Sequence, residues 1–161
     1  MTGLELYFER EFEFAPVIVW DALVDPVLVS GWLAEANIEP RVGGLYTLRW
    51  MTRPDQPISF GSITELRRPE LLVLARENVG TLTFELTEIE GGGRGTSTRL
   101  RLTVSASIEP AFARRVSADW MTALDQLDDL LHGHPVNWAT WEQDRQEAWT
   151  RHLRAGGDST A

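Results

Sequence analysis

The chain has 161 residues, no cysteine, and a net charge of −9 from 24 acidic and 15 basic residues, every one of the latter arginine. This composition excludes disulfides, thiolate metal sites, cysteine nucleophiles, Schiff-base lysines and a phosphate-loop lysine. It also argues against nucleic acid and anionic membrane surfaces, which recruit basic side chains, while the length suits one domain with its own core and the lack of cysteine fits a cytoplasmic setting.

Residues 4–14 (LELYFEREFEF) alternate as a half-buried strand does, with Leu4, Leu6, Phe8, Phe12 and Phe14 on one face and Glu5, Tyr7, Glu9, Glu11 and Glu13 on the other. Arg10 falls on the apolar face, so either its stem snorkels outward or its charge enters the interior. This opening is not that of a signal peptide, and no apolar run reaches the roughly 20 residues that span a bilayer. A short helix follows from Pro16 to Leu23. Asp25 and Pro26, as N-cap and first helical residue, start another that runs to about Trp32.

Strands are expected at 37–41, 45–52, 58–66, 71–77, 81–90 and 96–107. Turns or loops separate them at Gly43-Gly44, 53–57, Arg67 to Glu70, Asn78 to Gly80, and Gly91 to Gly95. Tyr46, Leu48 and Trp50 share one face, as do Leu82, Phe84 and Leu86, and Leu100, Leu102 and Val104. Gly61 marks a bulge or a close backbone approach. The loop at Gly91 to Gly95 lacks the strand-to-helix setting of a dinucleotide site and reads as a hairpin tip.

The longest element is a helix from Pro110 to Leu131. Phe112, Val116, Trp120, Ala123, Leu124, Leu127, Leu130 and Leu131 form one apolar stripe along it. Pro110 suits its first turn, while Gly133 and Pro135 stop it. At about 1.5 Å per residue it is about 33 Å long, enough to cross a small domain. The strands need a cover for their apolar face, and this helix supplies it. Beyond it, a tail helix is expected from Trp138 to Leu153, capped by Asn137 or Thr140. Trp138, Trp141, Arg145, Ala148, Trp149 and His152 share its face, for packing on the parent domain or on a second copy, so a homodimer is open. Residues 155–161 read as disordered.

Catalytic chemistry is hard to find in this pattern. His132, His134 and His152 all lie at or beyond the end of the long helix, without zinc-ligand spacing, so no metal is expected. No G-x-S-x-G elbow is present. Asp21, Asp25, Glu85 and Asp119 each read as a cap or as solvent-facing, and Arg49 as exterior. No catalytic residue is assigned and no cofactor is expected.

The run from Phe14 to Leu23 (FAPVIVWDAL), then Asp25-Pro26 and Trp32, resembles the opening of the SRPBCC superfamily, which gathers START domains, polyketide cyclases and birch-pollen-allergen-like proteins. Gly43-Gly44, Gly61 with Glu65 and Pro69, Gly95-Thr96, and Trp120 with Leu124 and Leu127 extend the likeness over residues 4–132. It is nearest to the branch named for activators of the heat-shock-protein-90 ATPase. The resemblance implies an α+β helix-grip fold: a curved antiparallel sheet wrapped around a long C-terminal helix over an internal cavity. The helix-grip domain would occupy residues 1–133, and 134–161 would be the tail helix and disordered end.

The resemblance also implies binding of a lipid-like or other hydrophobic molecule. The candidate cavity residues are Trp20, Trp32, Leu48, Trp50, Phe60, Leu74, Phe84, Leu102, Val116 and Trp120, against the alternative that they close-pack as a solid core. Two other functions stay open. One is a cyclase- or isomerase-type enzyme, favoured by an acid or arginine facing the cavity. The other is a protein-interaction module acting through the tail or in the manner of a co-chaperone.

Overall fold

The computed structural model describes residues 3–49, 58–76, 80–91, 95–107, 110–138 and 150–154. Among them the chain forms β1 (Gly3–Phe12), α1 (Pro16–Val24), α2 (Pro26–Val29), β2 (Glu35–Ile38), β3 (Tyr46–Arg49), β4 (Ile58–Ser59), β5 (Gly61–Arg67), β6 (Leu71–Arg76), β7 (Gly80–Glu90), β8 (Thr96–Ser107) and α3 (Pro110–Leu131). This is an α+β helix-grip arrangement. One antiparallel sheet has the order β1-β8-β7-β6-β5 and a smaller one the order β2-β3-β4. They are joined where Gly43 N–H donates to the Ile63 carbonyl (2.8 Å) and Ile63 N–H to the Gly44 carbonyl (2.9 Å).

Alternation and register together place the apolar side chains in rows across one face. Leu6 pairs with Val104, Val104 with Leu82, Leu82 with Leu74, and Leu74 with Ile63. The next row runs Phe8, Leu102, Phe84, Leu72 and Leu66. Cross-strand partners share a face, so these rows form one concave apolar surface against which α3 packs.

α3 spans the residues its periodicity predicts. Its end is a Schellman motif: Gly133 takes φ +89°, its N–H donates to the Leu130 carbonyl (2.9 Å), and His134 N–H donates to the Asp129 carbonyl (2.8 Å). Asp25 caps α2 as expected, accepting from Val27 N–H at 2.9 Å.

Four elements differ from the sequence reading, the first being β1, which ends at Phe12 and not at Phe14. β2 ends at Ile38 instead of reaching Arg41, because Pro40 has no N–H to give a ladder and Glu39 to Gly44 close a tight turn. The strand expected at 58–66 breaks at Phe60 into β4, paired with β3, and β5, paired with β6. Gly61 at that break permits a close approach, since a Cβ there would sit 3.0 Å from the Tyr46 carbonyl oxygen. α2 stops at Val29, short of Trp32. Residues 50–57, 77–79 and 92–94, and the tail at 139–149 and 155–161, lie outside the described residues, and with them the expected 53–57 loop and most of the tail helix.

Buried polar groups tie the helices to the sheet. Trp32 is fully buried; its Nε1–H donates to the Ala22 carbonyl (2.7 Å), and its own carbonyl accepts from Gln126 Nε2 (2.7 Å). The Tyr46 hydroxyl donates to the Leu23 carbonyl (2.6 Å) and Thr98 Oγ1 to the Phe14 carbonyl (2.6 Å). Burial pushes the Tyr46 hydroxyl pKa up, so it stays a donor throughout the working pH range. Each bond satisfies a group that would otherwise be costly to bury.

Candidate functional site

The space between the concave sheet face and α3 is graded along the helix. Within its C-terminal half Leu124 is 1% exposed and Leu127 0%, while Met121, Leu130 and Leu131 are only partly buried. Toward its N-terminal half, Val116 and, across from it on β1, Leu6 are only partly buried. Among the described residues, apolar surface that solvent can reach therefore remains at both ends of the helix, at Val116 and Leu6 and at Leu130 and Leu131.

The residues predicted to line a cavity divide accordingly. Leu48, Leu74, Phe84 and Leu102 are buried on β3, β6, β7 and β8, and Val116 and Trp120 belong to the α3 face that meets the sheet. Trp20 and Trp32 are buried with α1 and the segment after α2; the Trp32 indole is a strut, committed to the Ala22 carbonyl. Trp50 lies outside the described residues. Phe60 does not join the interior: it is 58% exposed, because the break between β4 and β5 interrupts the alternation that would have turned it inward.

Among the described residues, two arginines fall on the concave face by strand parity. Arg10 lies in the row of Leu100 and Leu86, and its charge is met from α3: Nη1 donates to Asp125 Oδ1 at 2.7 Å and Nη2 to the Met121 carbonyl at 3.3 Å. The other Asp125 oxygen, Oδ2, lies 2.6 Å from His152 Nε2, which the tail brings in. Burial acts to raise the Asp125 pKa, but the hydrogen bonds and charges of His152 and Arg10 outweigh it and hold the carboxyl below its usual value. Asp128, one turn on, is shifted the other way. Burial and the nearby Asp129 and Asp125 charges raise it against the opposing pull of His132 and Arg10. Arg10, Asp125 and Asp128 border an outer concavity of about 380 Å³, which Arg151 also lines.

Asp125 was not singled out in the sequence. The signal was Arg10, since a charge on the inner face of a strand demands an acid from whatever packs over it. Which α3 aspartate answers depends on how the helix is rotated against β1.

Arg76 is the second inward arginine. It pairs with Gly61 on β5 and Gly80 on β7, and it shares the parity of the buried Leu72 and Leu74. Its stem lies over Gly61, where a Cβ would be 3.4 Å from Arg76 Cγ. It is half-buried and stands one register row beyond that of Leu74 and Leu82.

The tail folds back on its own domain where it is described. Val136 N–H donates to the Gly31 carbonyl (2.8 Å), Trp138 Nε1–H to the Ser30 carbonyl (2.8 Å), and Arg114 to the Leu153 carbonyl (3.2 Å). Among the described residues no three acidic or histidine side chains gather as metal ligands, and no helix is long and apolar enough to cross a membrane. A second outer concavity, about 580 Å³, opens beside Pro16, Pro69 and Glu85, away from every predicted lining residue.

Known proteins share this architecture. A Rhodobacter sphaeroides protein of solved structure is 25% identical, with a TM-score of 0.63 over 80% of this chain and 92% of its own. CalU16 from Micromonospora echinospora is 24% identical, with a TM-score of 0.61 over 92% of this chain and 88% of its own. A conserved protein of unknown function from Enterococcus faecalis is 18% identical, with a TM-score of 0.63 over 93% of this chain and 86% of its own. At such identities the last two likenesses show the fold alone. No curated protein matches the chain in sequence. Residues 13–132, from the end of the first strand's alternation to the last turn of α3, match the family described as "Activator of Hsp90 ATPase homolog 1-like protein". The chain belongs to that family.

Proposed function

We propose that the protein binds a small hydrophobic molecule between the concave face of the sheet and the N-terminal half of α3. Membership of this family implies a ligand-binding domain. The observation that supports the finer reading is the apolar surface left partly buried at Val116 and Leu6, next to the tightly packed Leu124 and Leu127. Ligand pockets are mainly apolar concavities with few placed polar groups, and this end of the grip has that character. Trp120, 7% exposed on the helix face, stands between Val116 and Leu124 and is the residue through which a ligand would touch α3. The cytoplasm is the setting we infer for it.

Native mass spectrometry of protein purified from its own host, beside a denatured sample, tests this directly. An adduct of a few hundred daltons lost on denaturation supports the reading and gives the ligand's mass. Titration with N-phenyl-1-naphthylamine, an uncharged probe that brightens in apolar surroundings, supplies an affinity. Trp120→Ala should weaken that affinity at least tenfold while lowering stability by less than the about 3–5 kcal/mol expected of a solid-core tryptophan. A full core penalty with unchanged probe affinity would make Trp120 ordinary packing, and no probe binding to the wild type would sink the proposal.

A further inference from the structure

We propose that the open edge of β7 beside α1 docks an extended, basic peptide segment of a partner protein as an added strand. This site is separate from the interior pocket and does not depend on it.

β7 runs on past one of its neighbours. On one side it pairs with β8 as far as Glu90, which meets Thr96. On the other side β6 begins only at Leu71, opposite Glu85. The last bond across that side runs from Leu86 N–H to the Glu70 carbonyl, at 2.9 Å. Backbone groups of an antiparallel strand point to its two sides at alternate residues. The N–H and C=O groups of Glu88 and Glu90 therefore point the same way as those of Leu86, and among the described residues no strand meets them. Both residues are exposed. A row of this kind is a template for another strand, and its main-chain bonds supply affinity.

This edge borders a hollow, the outer concavity of about 580 Å³, to which Pro16, Val17, Pro69, Leu71 and Leu86 give apolar walls. α1 packs against β7, so the fold itself holds these walls in place. Val17 is 42% exposed, leaving apolar surface that a peptide side chain would cover. From Leu86 to Glu90, at about 3.4 Å per residue, the free edge is about 14 Å long, room for about four residues of extended chain.

Charge selects the occupant. Glu70, Glu85 and Glu88 line the hollow, and none has an ion-pair partner among the described residues. Arg67 is the one basic residue among those that line it, while Arg68 beside it lies 3.8 Å from Asp21. Arg101 and Arg99 stand across β8 from Glu85 and Thr87, but both are met by Glu9, and Arg99 also by Glu11. Glu90 adds a further negative charge, and Arg94, in the loop beyond it, lies outside the described residues. An acidic rim attracts a basic segment. It disfavours a second copy of this chain, since two such edges side by side would set Glu88 and Glu90 against their own kind, and like charges on neighbouring strands destabilise.

NMR titration of the isotope-labelled full chain with the peptide acetyl-Lys-Val-Lys-Val-Lys-Val-amide tests this. The backbone amide signals of Glu88 and Glu90 should shift. Affinity should be at least tenfold higher than for the same peptide with glutamate in place of lysine. Two further peptides carry N-methyl groups on the valine nitrogens or on the lysine nitrogens. One should bind at least tenfold more weakly and the other within about threefold of the parent, because only one set of nitrogens faces β7. Replacing Glu85→Gln together with Glu88→Gln should weaken the lysine peptide at least fivefold. No binding of the lysine peptide at millimolar concentration, or shifts confined to residues away from Glu85 to Glu90, overturns the site. Equal affinity for the lysine and glutamate peptides, or for wild type and the double variant, overturns the charge assignment. Two methylated peptides that bind alike overturn strand addition. A dimer of the chain that the peptide dissociates would make a second copy the occupant and overturn the assigned partner. Should the double variant not fold, the peptide comparisons on wild type decide.

Discussion

Arg10 of β1 and Asp125 of α3 meet at 2.7 Å, with their side chains 30% and 27% exposed. The strand's one inward charge is thereby neutralised by the helix that covers the strand. Removing the acid strands a half-buried cation, whereas removing the arginine leaves Asp125 with His152. Asp125→Asn should therefore cost about 1–3 kcal/mol, less than a fully buried pair, and more than Arg10→Met, whose side chain keeps the apolar stem. The Asp125 pKa is depressed on folding, so its contribution is complete above the ordinary aspartate value of 3.8 and is lost as pH falls through the lower folded value. Urea unfolding of wild type and Asp125→Asn at pH 7 and in a series below pH 4 should show the gap closing toward acid. A gap independent of pH would dismiss this account.

Asp128 has the opposite sign. Burial first, then the Asp129 and Asp125 charges, raise its pKa, so the folded state holds its proton more firmly than the unfolded state does. Such a group costs stability once pH exceeds its folded value. Asp128→Asn should raise the melting temperature at pH 7, and the benefit should fade in acid. A lowered melting temperature at pH 7 would show that its contact with His132 matters more than this crowding.

Adjacent glycines in the β2–β3 turn should behave very differently. Gly43 takes φ +83° with open space where a Cβ would go, so Gly43→Ala meets only the left-handed backbone penalty, about 1–2 kcal/mol. At Gly44 a Cβ would collide with the Glu39 carbonyl oxygen and lie 2.8 Å from that of Arg41. Both obstacles are backbone, so Gly44→Ala should cost well over about 3 kcal/mol or prevent folding. Similar denaturation midpoints for the two variants would contradict the turn geometry.

Thr122 is 2% exposed, and its hydroxyl has no hydrogen-bond partner among the described residues. Valine has nearly the same shape and is equally branched at Cβ. Thr122→Val should stabilise the protein by about 0.5–1.5 kcal/mol, the cost of an unsatisfied buried hydroxyl. A calorimetric melting temperature at or below that of wild type would mean the hydroxyl is satisfied in solution.

Near its end the tail is held by His152 on Asp125 and by Arg114 on the Leu153 carbonyl. His152→Ala should speed tryptic cleavage at Arg151 and Arg154 several-fold without changing the monomeric mass. If the tail instead serves a second copy, the variant should shift the oligomeric state, which native mass spectrometry reads directly.

Short-range patterns determined most of this architecture. Alternation from Leu6 to Phe12, the proline starts at Pro16, Pro26 and Pro110, the Asp25 cap and the Gly133 stop each act over a few residues, so each can be read locally. The motifs from Phe14 to Leu127 likewise carried the family. Tertiary structure alone decided how the charges and the interior were used. Register placed Arg76 between Gly61 and Gly80, helix rotation chose Asp125 over its neighbours for Arg10, and the return of the tail brought His152 to it. The break at Phe60 turned a candidate lining residue outward, because a strand's facing is set by its partner as well as by its own alternation. These are relations between segments distant in sequence, fixed by packing and pairing that no local pattern encodes.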